Sequence, residues 1–196
     1  NIALAEEAIN REDEADTIYY LSVRLLLSAQ LKPDVAEQVG ATEILFIPAT
    51  RLILQYLELI ADYAEDIAKK IPALETFRGK VPKDTIEGIY HMSELAQVIF
   101  QKALDCIFTR DIKVANGVLE MQGVLQTEYD RLMRELPEIP YLRAMISCLN
   151  KIADLGATIA DISINRALEK PSKYIENIIR TVRHVRTVPL TSMKKT

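Results

Sequence analysis

The sequence predicts an all-α protein, and three observations predict it. Hydrophobic residues make up 49% of the chain, while six glycines, eight prolines and no tryptophan leave little for the turns and aromatic pairing of a sheet. Apolar residues recur at spacings of three and four along most of its length, the period of a helix with one buried face. A helical phrase also repeats: LELIADYAEDIA, Leu57 to Ala68, returns 92 residues later as LNKIADLGATIA, Leu149 to Ala160, with six of twelve positions identical. Upstream, Pro48 and Arg51 fall opposite Pro140 and Arg143 at the same offset, which marks an internal duplication.

Taken in order, the chain begins at Asn1 directly in helical spacing, with Ile2, Ala5, Ala8, Ile9, Ala15, Ile18, Tyr19, Val23 and Leu26, as though cut rather than started. A loop is expected from Leu31 to Gly40 around Lys32-Pro33-Asp34. A second helix is expected from about Thr42 to Lys70, with Lys69 and Lys70 at the negative end of its dipole and Ile71-Pro72 stopping it. Val81-Pro82-Lys83 reads as a linker. Asp84 and Glu87 have the spacing of a capping box that opens a third helix to about Thr109.

Arg110-Asp111 breaks the pattern, and a fourth helix covers Ile112 to Leu136, with Ile112, Ala115, Val118, Leu119, Leu125, Tyr129, Leu132 and Met133 inward. At an offset of 110 this helix repeats the first: Ile2, Ala5, Ile9 and Tyr19 fall opposite Ile112, Ala115, Leu119 and Tyr129. After the turn Pro137 to Pro140, a fifth helix carries the second copy of the repeated phrase to about Leu168. A last amphipathic segment, Tyr174 to Val188, has Ile175, Ile178, Ile179, Val182 and Val185 on one side and Arg180, Arg183 and Arg186 on others. The duplicated unit is thus a helix pair, preceded in the second copy by a third helix that the first copy lacks. That deficit predicts an apolar face left exposed or covered by another chain.

Composition removes several classes of function. Cys106 and Cys148 lie in apolar helical settings without CxxC or Cys/His spacing, which argues against a disulfide framework or a zinc site and suits a reducing cytosol. The longest apolar run, Ile44 to Leu57, contains Pro48 and Arg51 and is too short for a membrane span, and no signal peptide is visible. From Arg166 onward there are eight Lys/Arg and two Glu, so the remainder carries −10 beneath a net charge of −4. Tyr174 alone does not make the aromatic interleaving of a nucleic-acid surface, and a packed helix with a solvated basic face is the reading preferred.

Candidate chemistry lies with the acids of the first copy. Glu58, Asp62 and Asp66 recur every four residues, and Glu12 and Asp16 stand four apart on the preceding helix inside REDEAD. Two such helices side by side would gather Glu12, Asp16, Glu58 and Asp62, and like charges so placed either face water or bind a cation. Oxygen-only donors favour Mg, Mn, Fe or Ca, with Zn also compatible. Opposite these four in the second copy stand Gln122, Gln126, Asn150 and Asp154, three amides and one acid. A cation is therefore expected at the first copy, and a weak or empty site at the second, where Asp154 is the sole acidic candidate. Asp66, replaced by Thr158 in the second copy, reads as a surface acid or a group behind the ligands.

A ferritin-type di-metal oxidoreductase would also use helical acids, but it normally needs Glu-x-x-His. The only histidines, His91 and His184, do not follow a glutamate by three, and no nucleophile–base pair or glycine-rich phosphate loop is present. Tyr19 and Tyr20 read as core aromatics.

REDEAD, Arg11 to Asp16, together with LELIADYAEDIA resembles the PhoU family of phosphate-uptake regulators, archaeal branch included, whose repeats carry Glu/Asp-x-x-x-Asp on two helices. The resemblance implies two tandem three-helix bundles, the first without its opening helix here: 1–78 the incomplete first repeat, 79–170 the second, and 171–196 a basic C-terminal helix and tail. It implies metal ligation by Glu12, Asp16, Glu58 and Asp62, with Asp154 in reserve, by an ion such as Fe, Mn, Mg or Zn. It further implies a cytoplasmic, non-enzymatic, homo-oligomeric adaptor that contacts phosphate ABC transporter components or a signalling protein. Accessory regulation of another transporter, such as one for potassium, is the alternative.

Overall fold

The computed structural model describes residues 2–41, 43, 45–77 and 79–168. All its regular elements are helices: α1 (Ile2–Leu31), α2 (Pro33–Gln38), α3 (Phe46–Glu75), α4 (Lys83–Thr109), α5 (Ile112–Glu135) and α6 (Leu142–Ala167). The all-α expectation holds. The basic segment from Tyr174 to Val188 and His184 lie outside the described residues.

Helix boundaries depart from expectation where proline governs them. Pro33 does not open a loop but starts the short helix α2, because a residue without an N–H fits the first helical turn, whose N–H groups have no intrahelical partner. Pro72 does not stop α3, which runs on to Glu75. It stands one residue inside the last turn, so the hydrogen bond it deletes is among the last in the helix. Lys69 and Lys70 are therefore not terminal; they pair with Glu65 and Asp66 one turn back, at 2.6 and 3.2 Å. Helix α3 starts at Phe46 rather than near Thr42, after Gly40 turns the chain at φ +71°.

The capping box also fails. Pro82 is the N-cap of α4, so Asp84 falls in the first turn, where its charge meets the helix dipole without capping it. The break at Arg110-Asp111 is as expected. Arg110 takes the left-handed conformation that ends α4, and the Asp111 carboxylate accepts from Lys113 N and Val114 N at 2.8 and 3.3 Å to begin α5.

Helices α4, α5 and α6 pack pairwise into a three-helix bundle. Its centre is Met92, Ile99, Val118, Leu125, Leu132 and Ile146, none more than 1% exposed. Ile112 and Leu119, expected inward, are more than a third exposed and sit at the edge of α5. Close helix approach rests on glycine: a Cβ at Gly156 of α6 would lie 2.9 Å from Ile99 Cγ2 of α4. The residue opposite Gly156 in the first copy is Ala64, which is exposed, so alanine is tolerated where no helix presses down.

Helix α3 packs on α6 around Ile53, Ile60 and Ile159, with Ala103 of α4 completing the cluster, and α1 packs on α3. The pair α1/α3 repeats α5/α6 down to side-chain partners. Tyr19 donates from its hydroxyl to Gln55 Oε1 at 2.8 Å, and the corresponding Tyr129 and Ser147 hydroxyls stand 3.5 Å apart. Among the described residues nothing plays α4's part in the first repeat. Helix α1 buries only Ala5, Leu26 and Ala29, while Leu4, Ile18, Leu21 and Leu25 are exposed, as is Leu52 of α3. The apolar face expected from the sequence is present.

Candidate metal centre

The Tyr19–Gln55 bond sets the register of α1 against α3. Stepping back along α1 from Tyr19 leads to Asp16 and Glu12, and stepping forward along α3 from Gln55 leads to Glu58 and Asp62. The two helices are antiparallel, and their acids face one another. The electrostatics follow that register. The Glu58 carboxyl is raised above its ordinary pKa by burial first, then by the charges of Asp62 and Asp16. Asp62 is raised by burial, then by Asp16, Glu65 and Asp66. Glu12 is raised by burial, then by Asp16, Glu65 and Asp62. All four sequence candidates thus share one patch between α1 and α3, each half-buried.

A fifth acid belongs to the patch and was missed in the sequence. Glu65, not Asp66, continues the face of Glu58 and Asp62, and its side chain is 17% exposed against 52% for Asp66. The signal was available: on a helix of 3.6 residues per turn, positions 58, 62 and 65 stay on one stripe better than 58, 62 and 66. Asp66 leans away, paired with Lys70 and 3.9 Å from Cys148 Sγ on α6. Its reading as a surface acid fits that placement.

Positive groups close the two ends of the patch. Gln55 Nε2 donates to Glu58 Oε2 at 2.9 Å, while its Oε1 accepts from both Tyr19 and Arg51 Nη1, the latter at 3.3 Å. The Arg51 guanidinium lies 5.3 Å from the centre of the Tyr19 ring. At the far end Lys69 bonds Glu65, and its own pKa is raised chiefly by that bond. Gln55 is a positioning group that sequence reading passed over, three residues before Glu58 on the same helix face.

In the second repeat the same geometry carries different chemistry. Gln122 Nε2 donates to Asp154 Oδ1 at 2.8 Å, and Asn150 Nδ2 donates to Asp154 Oδ2 at 3.3 Å. Gln126 turns to Asp130 on its own helix. Amide N–H groups thus satisfy both oxygens of Asp154, and Asn150 Oδ1 is left buried without a partner. Asp154 lies between α5 and α6, in the bundle that does not contain the other four acids. His91 is exposed on α4, where its charge adds to that of Arg131 in lowering the Glu128 carboxyl of α5.

The donor set of the first repeat fits a hard or intermediate cation, since it is all carboxylate and Glu12, Glu58 and Asp62 are raised by burial and then by neighbouring acids. As placed, no three acidic, histidine or cysteine side chains among the described residues converge into an ion cage. The patch is an array of acids along a helix seam rather than a closed shell.

A duplicated helix pair with an acid seam, bundled with a third helix in its second copy, defines a tandem-repeat all-helical fold. The PhoU domain family model matches residues 1–71 and 89–182, and the chain belongs to that family. Two curated relatives are each called "Phosphate-specific transport system accessory protein PhoU homolog". The one from Rhizobium meliloti (strain 1021) is 26% identical over 136 residues, covering 69% of this chain and 55% of the relative. The one from Zymomonas mobilis subsp. mobilis (strain ATCC 31821 / ZM4 / CP4) is 28% identical over 141 residues, covering 69% and 54%. The chain therefore spans about half the length of these relatives. No solved structure matches it. Among the described residues, no helix is long and apolar enough to cross a membrane.

Proposed function

We propose that this chain is a non-enzymatic, metal-binding adaptor that regulates phosphate uptake from the cytoplasm through protein–protein contacts. The observation that carries the reading is the seam of Glu12, Asp16, Glu58 and Asp62, extended by Glu65, in a member of the PhoU domain family. A cation there would neutralise acids that otherwise repel, and would tie α1 to α3 across the seam. Fe, Mn, Mg and Zn are the ions to test, and Asp154 with its amide partners is the weaker second position.

The partner class follows the relatives' names: a component of a phosphate transport system or its signalling protein. Exposed Ile18, Leu21, Leu25 and Leu52 offer apolar surface for such contacts or for a homo-oligomer. We take 1–78 as the incomplete first repeat, 79–170 as the second and 171–196 as the basic tail.

Elemental analysis of purified protein tests the metal. Wild type is expected to carry an ion that Asp16→Ala and Asp62→Ala lose; equal, negligible content in all three would remove the metal from the reading. Affinity capture tests the partner, and recovery of potassium-transport subunits without phosphate-transport components would transfer the regulatory role to that system.

A further inference from the structure

The end of α6 and the beginning of α3 are clasped at one corner of the fold. Arg110, which ends α4, forks onto Glu43, Nη1 to Oε1 at 2.8 Å and Nη2 to Oε2 at 2.7 Å. Arg166, in the last turn of α6, has its Nη2 3.7 Å from the same carboxylate and its guanidinium 5.5 Å from the centre of the Phe46 ring. Phe46 is the first residue of α3, so the chain leaves α6 beside the start of that helix. Because α1 runs antiparallel to α3, the exit is also level with the end of α1, where Leu25, Leu27 and Leu31 are exposed.

The open side of α1 is the side on which the second repeat seats its third helix. At the offset that relates the repeats, Leu4 and Ile18 stand opposite Val114 and Glu128 of α5. Val114 packs against the bundle core, and Glu128 Oε1 lies 2.9 Å from where a Cβ at Gly88 of α4 would sit. Leu4 and Ile18, by contrast, are 63% and 62% exposed. Glu14, Ile18 and Leu25 follow one stripe of the helix. Beside them Asp13, Glu14, Thr17 and Ile18 line a cavity of about 450 Å³. What covers this face must be apolar along Ile18 and Leu25 and positively charged towards Asp13 and Glu14.

We propose that the occupant is the segment Tyr174 to Val188 of this chain, which lies outside the described residues, docked as a helix where the first repeat has no counterpart of α4. Its sequence supplies both features: Ile175, Ile178, Ile179, Val182 and Val185 on one side, and Arg180, Arg183 and Arg186 towards its later end. Pro171 disfavours a simple continuation of α6. Residues 169–173, extended, reach roughly 17 Å, more than the ~8–10 Å between packed helices. Tyr174 to Val188 as a helix is about 22 Å long, enough to pass from Leu27 to Glu14. That direction brings Ile175 and Ile178 to the leucines first, and Arg183 and Arg186 to Asp13 and Glu14 last. Charge favours the pairing too, since α1 carries six acids against two arginines. Two copies of α1 make a poorer match: side by side in parallel they bring acid to acid, and antiparallel they set acids against leucines. A partner that uses this face has to displace the tail.

Amide hydrogen exchange of the full chain, read by mass spectrometry, tests the contact. Ile178→Asp combined with Val182→Asp alters only the tail. Exchange of the α1 amides from Ile18 to Leu25 is expected to speed up by about tenfold or more, since one buried aliphatic side chain is worth that much. The centre of the α4–α6 bundle is expected to keep its rates. In the wild type, protection of α1 and of Tyr174 to Val188 is expected to be the same at every protein concentration, as a contact within one chain requires. A charge exchange gives the second test. Asp13→Lys with Glu14→Lys is expected to speed exchange in Tyr174 to Val188, and adding Arg183→Glu with Arg186→Glu is expected to slow it again.

Exchange in α1 that ignores the aspartate changes in the tail would overturn the proposal. So would protection of α1 that grows with protein concentration, which would make the occupant a second copy, or a charge reversal in the tail that fails to compensate the one in α1. If the aspartate variant also loses protection across α4–α6, it has not folded, and the charge exchange decides alone. Failure here leaves the metal seam untouched, since Glu12, Asp16, Glu58 and Asp62 take no part in the contact.

Discussion

Gln122 Nε2 donates to Asp154 Oδ1 at 2.8 Å, and the residues in the matching positions of the first repeat are Glu12 and Asp62. One repeat thus places an amide hydrogen between two helices where the other places a second carboxylate. The same backbone geometry yields hydrogen bonds to the acid in one copy and mutual repulsion in the other. That contrast governs how the two halves respond to charge, pH and cations.

The metal-free seam gives stability a specific pH dependence. Glu58 and Asp62 have raised folded-state pKa values, so their contribution is fully present below the unfolded carboxylate values, near pH 4, and is lost as pH rises through the raised folded values. Chelator-treated protein should therefore lose thermal stability over that rise. Asp62→Asn should flatten the profile, and saturating metal should restore stability at neutral pH. Melting curves across pH 3.5 to 8, roughly the range in which carboxylates titrate, make the comparison.

Converting the second repeat to the chemistry of the first is the reciprocal experiment. Gln122→Glu replaces a donor to Asp154 by a like charge and should cost about 1–3 kcal/mol in chelator, the range for a lost hydrogen bond to a buried or charged group. The same variant should recover part of that loss on adding Mn or Mg. Urea unfolding with and without the ion reads both effects.

Gln55 holds Glu58 from behind while accepting from Tyr19 and Arg51. Gln55→Ala should leave Glu58 free to rotate and lower metal affinity about 10- to 100-fold, as loss of an outer-shell partner does elsewhere. Competitive titration with a chromogenic chelator measures it. Unchanged affinity would mean that Glu58 is not oriented by this bond.

Gly156→Ala tests the packing of α6 on α4. The new methyl would meet Ile99 Cγ2, which belongs to a stiff β-branched side chain buried completely in the bundle, so relief requires helix displacement. A loss of about 1–3 kcal/mol is expected by overpacking. The converse change, Ala64→Gly in the first repeat, meets no such neighbour and should cost only the smaller helix-propensity penalty of up to ~1 kcal/mol.

The fold was largely legible because a duplicated, strongly periodic sequence announces its helices and their pairing twice. Glu12, Asp16, Glu58 and Asp62 were legible too, since identical spacing on two helices that repeat together places them face to face. Glu65 escaped because a strict four-residue ladder runs from Asp62 to Asp66, while the real helix turns slightly faster and brings the seventh position after Glu58 onto the face. Pro72 misled because its effect depends on how many hydrogen bonds still follow it. The meeting of Glu43, Arg110 and Arg166 had no sequence signature at all. It joins a connection, a helix end and a terminal turn separated by dozens of residues, and only tertiary packing brings them together.

Among the described residues α1 packs on α2 and α3 and on no other helix, while α3 in turn packs on α6. The helices are therefore mechanically in series. Helix α1 can open without exposing the centre of the α4–α6 bundle, and it should exchange its amide hydrogens through a local event cheaper than global unfolding. An ion across the seam would act as a brake on that event alone. A helix that reaches the rest of the described structure only through α3 is thus also one whose order a cation can set.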